Sequence, residues 1–112
     1  MLIKRGNIVL VDLGKARGSV QAGIRPMVVV QNDIGNIYSP TFIGIPITSK
    51  KNKRKLITHK VLEGYEQLVN DSTVIAEQIL TVNKTQIVKY ICNLKEKDII
   101  DINKKIAISL AL

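Results

Sequence analysis

Gly14-Lys15-Ala16-Arg17-Gly18-Ser19-Val20-Gln21-Ala22-Gly23-Ile24-Arg25-Pro26 leads without a break into Met27-Val28-Val29-Val30-Gln31, and this join of a glycine-punctuated loop to an apolar run decides the fold. Three glycines and small residues mark a loop rather than a core element. Upstream of it, Ile8-Val9-Leu10-Val11, closed by Asp12-Leu13-Gly14, reads as a strand buried on both faces, and the run from Met27 to Gln31 is its expected partner across the loop. Pro26 fixes its own φ and pushes Arg25 toward an extended conformation, so the guanidinium is presented at a reproducible place at the mouth of the second strand. A connection this long between paired strands is either a functional loop or a solvated hairpin, and the spacing alone leaves both open.

Working outward, Asn32-Asp33-Ile34-Gly35-Asn36 has turn chemistry. Thr41 to Thr48 alternates, with Ile43, Ile45 and Ile47 on one face and Gly44, Pro46 and Thr48 on the other. Pro46 cannot donate to a ladder, so an edge position or a bulge is expected there, leaving room for an extended ligand along the small-residue face. Ser49 to Lys55 holds five cations in seven residues, and its place directly after Thr48 points to phosphate contact by Lys50 and Lys53. His59 stands alone and is held in reserve. Thr73 to Val82 reads as one strand with Glu77-Gln78 in its middle; those polar groups need partners, either the opening loop or a ligand. From Lys95 onward, Ile99, Ile102, Ile106 and Leu110 keep helical spacing, and Asn93 with Glu96 is the expected capping box. The apolar ending invites packing on the barrel or on another subunit. Five or six short strands followed by one amphipathic helix predict a mainly β fold, a small closed or half-closed barrel.

The 112 residues fit one domain, and 46% hydrophobic content favours a packed globule. A net charge of +8 points to a polyanionic or acidic partner. Only 4% aromatic residues and no tryptophan argue against binding built on base stacking. Cys92 is the one cysteine, expected as a small buried hydrophobe; it excludes an internal disulfide and fits a reducing compartment. No apolar run suggests a signal peptide or bilayer span, so a cytoplasmic protein is expected. No Cys/His/Asp/Glu cluster has metal-ligand spacing, and no cofactor is expected.

Lys4-Arg5-Gly6-Asn7-Ile8, Gly18 to Pro26, Gln31-Asn32-Asp33, Tyr38-Ser39-Pro40-Thr41, Pro46-Ile47-Thr48-Ser49 and Glu77-Gln78-Ile79, in this order and spacing, resemble the MazF/PemK-like toxins of bacterial toxin–antitoxin systems over essentially the whole chain. The resemblance implies an SH3-like barrel, a homodimer, sequence-specific and metal-independent cleavage of single-stranded RNA such as mRNA, and inhibition by a cognate MazE-like antitoxin. It assigns catalysis to Arg25 and Thr48, places Ser19 and Gln21 in the loop that covers the RNA, and sets Gln78 near the substrate. Arg17 joins these as an RNA-binding cation. Two departures stand out: Val20 where members commonly carry glutamate, and Leu80 where arginine often follows the Glu-Gln-Ile motif.

RNA carries its own nucleophile in the 2′-OH, so a catalyst has to align it and stabilise charge on the phosphorane-like transition state. Arg25 suits that task through its fork of donors and makes a poor general base. His59 and water are both open as the base. Two rivals remain at this point: a gyrase-poisoning toxin of the same fold, whose C-terminal tryptophan motif this chain lacks, and a passive basic RNA-binding module.

Overall fold

A computed structural model describes residues 2–15, 18, 20–49, 56–69 and 72–112. Seven strands form an antiparallel sheet: β1 (Asn7–Asp12), β2 (Ile24–Val29), β3 (Thr41–Thr48), β4 (His59–Leu62), β5 (Ser72–Ile75), β6 (Leu80–Asn83) and β7 (Ile87–Asn93). A short helix α1 (Asp33–Tyr38) follows β2, and α2 (Glu96–Leu110) ends the chain. The strand order is β4-β5-β3-β2-β1-β7, with β6 paired to β3 off that path. The fold class is the expected one, a small mainly β barrel with a C-terminal amphipathic helix.

β1 and β2 pair antiparallel, Val9 against Met27 and Val11 against Arg25, as the opening stretch required. Their alternation serves two cores. Ile8, Val28, Ile45, Ile47 and Val74 pack with Ile102 of α2, whereas Val9, Val11, Met27, Val29 and Phe42 pack with Ile3 and Val82 on the other face. Cys92 is buried and free, and burial pushes its thiol pKa up.

Four local expectations are corrected. The 32–36 stretch is not a bare turn: the Asn32 side chain accepts the Gly35 N–H at 2.8 Å and caps a helix, α1. β3 is no edge strand, since β2 pairs along one side and β6 and then β5 along the other. Pro46 is tolerated because it falls between the residues paired to β6, which end at Gly44, and those paired to β5, which begin at Ile47.

The Thr73–Val82 strand is two strands. Ile47 pairs with Val74 and Gly44 with Leu80, so a step of three along β3 faces a step of six on the other chain. The surplus residues coil out as a 3-10 turn, Ala76–Gln78, which buries Ala76 and turns Glu77 and Gln78 off the ladder.

Finally, the Asn93–Glu96 capping box does not form. Asn93 ends β7, and its Oδ1 accepts from Asn7 Nδ2 at 2.6 Å, so Lys95 becomes an N-cap with no side-chain bond. The box occurs instead between Asn83 and Gln86. Ile108, Leu110 and Leu112 at the end of α2 stay exposed rather than packing on the barrel.

Candidate functional site

The opening loop is pinched at its base. Leu13 N–H donates to Gly23 O at 2.9 Å and Gly23 N–H to Gly14 O at 2.7 Å, with Gly14 and Gly23 both at positive φ (74° and 73°), where a side chain would be strained. This neck delivers the chain into β2 two residues before Arg25. Arg25 is half-buried, and its Nε donates to the Ala22 carbonyl at 2.6 Å, which anchors the guanidinium to its own loop. Among the described residues no carboxylate pairs with it. The donors on its terminal nitrogens therefore face no fixed counter-charge.

Arg25 forms one wall of a groove of about 480 Å³, lined also by Leu10, Pro26, Ser49, Lys89 and Tyr90. Thr48 ends β3. The β2–β3 ladder ends at the pair Met27–Pro46, and Arg25 and Thr48 each lie two residues beyond that pair, at the same end of the ladder. The structure thus brings the two expected catalytic residues to the same end of one ladder. It does not leave Thr48 open: the side chain is only 1% exposed, because the face of β3 away from the isoleucines is covered as well. Its neighbours Ile47 and Ser49 both line the groove.

Gln21 is buried, and its backbone N–H donates to Gln78 Oε1 at 2.9 Å. Of the two roles open to Gln78, bracing the opening loop is therefore one that it performs. Among the described residues, Gln21 Oε1 has no hydrogen-bond partner. Arg17, Ser19, Lys50 and Lys53 lie outside the described residues.

His59 is buried away from the groove. Its Nδ1 accepts the Leu56 N–H at 3.2 Å, which leaves Nε2 to donate to Glu77 Oε2 at 2.9 Å. Thr58 Oγ1 donates to the other oxygen of the same carboxylate at 2.8 Å. Partial burial works against the Glu77 charge, but the hydrogen bonds from His59 and Thr58 outweigh it and hold the carboxyl below the usual range.

Lys89 and the partners of Glu77 are not legible in the sequence. Lys89 enters the groove from β7, in a stretch that the sequence marks only as apolar-leaning, with no signal for the lysine itself. Glu77 was noticed, but its partners His59 and Thr58 come from 18 and 19 residues away.

Residues 4–110 match the family model described as PemK-like, MazF-like toxin of type II toxin-antitoxin system. The chain belongs to this family. Among curated relatives, a protein named Endoribonuclease MazF from Staphylococcus saprophyticus is 42% identical over 99% of this chain and 93% of its own length. One of the same name from Staphylococcus epidermidis is 41% identical over the same shares. Solved structures share the MazF fold at lower identity. MazF from Deinococcus radiodurans superposes with a TM-score of 0.85 at 16% identity, covering 100% of this chain and 99% of that one. A mycobacterial endoribonuclease in complex with its cognate antitoxin gives 0.83 at 23% identity, covering 98% and 96%.

Proposed function

We propose that this MazF/PemK-like chain is a sequence-specific, metal-independent endoribonuclease that cuts single-stranded RNA through the substrate's own 2′-OH, leaving a 2′,3′-cyclic phosphate and a 5′-OH. The observation that carries the reading is Arg25: a half-buried guanidinium, anchored through Nε, with no carboxylate paired to it among the described residues, on the wall of an open groove. An unneutralised arginine in that setting is an anion site, and its fork suits the non-bridging oxygens of a phosphate. Lys89 adds a second positive charge along the same groove. Arg25 stabilises the charge that builds on phosphorus as the 2′-oxygen attacks. Thr48, at the same end of the β2–β3 ladder as Arg25, is assigned by the family resemblance to hydrogen-bond a phosphate oxygen or the departing 5′-oxygen. His59, tied to Glu77 and buried, is poorly placed to take the 2′ proton, which favours water. Metal independence is supported by the side chains: among the described residues no three His, Cys, Asp or Glu converge as ligands.

The active form is a homodimer with a cytoplasmic role. Exposed Ile24, Val69, Val88 and Tyr90 near the groove, with Ile108 and Leu110 on α2, leave apolar surface that a second copy would cover. No helix among the described residues is long and apolar enough to cross a membrane. The partner that silences the chain is a MazE-like antitoxin whose acidic segment folds over the groove and competes with RNA for Arg25.

The deciding experiment incubates purified protein with labelled single-stranded RNA in excess EDTA. Cleavage is expected, and Arg25→Ala is expected to lower its rate by roughly 10²-fold or more while RNA binding weakens far less. Equal losses of rate and binding would demote Arg25 to a binding residue. Activity that returns only with added Mg²⁺ or Zn²⁺ would overturn metal independence. Sedimentation as a monomer at micromolar concentration would overturn the dimer.

A further inference from the structure

Glu77 is tied to Arg25 by an unbroken chain of short steps. Its carboxylate is held from two directions, by His59 Nε2 at 2.9 Å and Thr58 Oγ1 at 2.8 Å, so the 3-10 turn that carries it is fixed against the start of β4. The next residue, Gln78, accepts the Gln21 N–H at 2.9 Å. The residue after Gln21 is Ala22, whose carbonyl takes the Arg25 Nε proton at 2.6 Å. Each hydrogen bond in this series is separated from the next by a single peptide link; the first link lies in the 3-10 turn, where Ala76 N–H also donates to Thr58 O at 3.2 Å, and the second lies beside the loop neck. We propose that Glu77 is a positioning residue for Arg25: by anchoring the turn, it sets the place of Gln78, hence of the 21–22 backbone, hence of the guanidinium.

The need for such a device follows from the topology. Arg25 sits near the start of β2, just after a loop pinched at its neck, and the 3-10 turn between β5 and β6 reaches that loop through the Gln21–Gln78 bond. A guanidinium stabilises a transition state only when its donors meet the oxygens, and a shift of about 1 Å in such a group costs as much as about 10²-fold in rate. His59 then has a defined task. With Nδ1 occupied by the Leu56 N–H, its tautomer is set so that Nε2 donates to Glu77, making it a support of this anchor and not the base.

The inference rests on the reading of Arg25 as the phosphate partner, and the experiment separates the two. Glu77→Ala is made in the wild-type and in the Arg25→Lys backgrounds, and kcat and KM are followed at one cleavage band of a defined, end-labelled single-stranded transcript. In the wild-type background kcat is expected to fall by about tenfold with KM moving less than about twofold. In the Arg25→Lys background, where the Nε bond to Ala22 is gone, the same substitution is expected to change kcat by less than about twofold. Glu77→Gln, which keeps one acceptor oxygen, should recover part of the loss. Equal fold-losses in both backgrounds would mark Glu77 as merely structural and overturn the proposal, and so would a loss confined to KM, which would mean direct contact with RNA. If Glu77→Ala fails to give a cooperative thermal melt, Thr58→Val removes one of the two anchoring bonds in its place, with a smaller loss expected and the same dependence on background required. Full activity of Arg25→Lys with an unchanged rate would overturn the role of Arg25 as well, whereas an impaired Arg25→Lys with additive Glu77 losses overturns the positioning role alone.

Discussion

The Tyr65 hydroxyl donates to Asp98 Oδ2 at 2.5 Å while accepting the Lys95 backbone N–H at 2.8 Å, so one side chain closes both an acceptor and an orphan donor at the start of α2. The other oxygen of Asp98 faces Lys60 Nζ at 3.5 Å, and Lys60 reaches Asp101 at 2.8 Å. Asp98 is almost fully buried, so its removal strands the Tyr65 hydroxyl. Asp98→Ala is expected to destabilise the fold by about 2 kcal/mol, and Tyr65→Phe by about 1 kcal/mol. Urea unfolding curves with unchanged slope are the check.

Tyr65 also sets an alkaline limit. Burial, and after it the Asp98 bond, pushes its pKa from 10.0 up to about 12. Between those values the folded state holds a proton that the unfolded chain has released, so stability is fully present below pH 10 and falls as the pH rises toward 12. Thermal midpoints of the wild type should decline over this window, and those of Tyr65→Phe should decline less.

On the acid side the sign reverses. The His59 and Thr58 bonds hold Glu77 below its usual value of 4.5 against the effect of burial, and the Lys60 bond holds Asp101 below 3.8. In this range the unfolded chain binds the protons first, so stability present above pH 4.5 is lost as the pH falls through the depressed folded values. Glu77→Gln should flatten the melting temperature against pH below that point.

Gly6 lies at φ 90°, and a Cβ there would come within 2.9 Å of Ile99 Cδ1 on α2. Gly6→Ala is expected to lose about 1–2 kcal/mol through backbone strain alone. Crowding against Ile99 adds to this, and Ile99→Val should relieve that added part while leaving the strain loss in the same melts.

The proposed chemistry has its own test in the substrate. A single deoxynucleotide placed 5′ to the scissile phosphate removes the nucleophile but none of the phosphate contacts, so cleavage should stop while binding stays nearly intact, and the modified strand should inhibit competitively. A linear 3′-phosphate as first product would show water attacking instead.

The β1–loop–β2 unit was legible because β-branched runs and glycine punctuation are local signals, and they put Arg25 where it is found. The break at Ala76–Gln78 was not, because every residue from Thr73 to Val82 tolerates a strand; only the six-against-three mismatch with β3 forces the turn. The same mismatch explains why Glu77 and Gln78 looked like polar intruders in a strand and are in fact outside one. The burial of Thr48 was equally hidden, since alternation separates two faces but does not say that both are covered. Pro46 shows another case: its missing N–H points to an edge or a bulge, and the structure has a change of partner in mid-sheet there instead.

The neck formed by Leu13, Gly14 and Gly23 seals the barrel from the tip of the loop above it. The neck fixes the β1–β2 register without the residues between 15 and 20, and doubling such a loop costs only about 0.6 kcal/mol in closure entropy. The scaffold and the recognition surface can therefore diverge at separate rates. On the proposed reading, in which this loop covers the RNA, a lineage built on this neck acquires new targets by drift in the loop while Arg25 and its anchor stay fixed, and grafting the loop of one member onto the neck of another is a route to altered sequence preference.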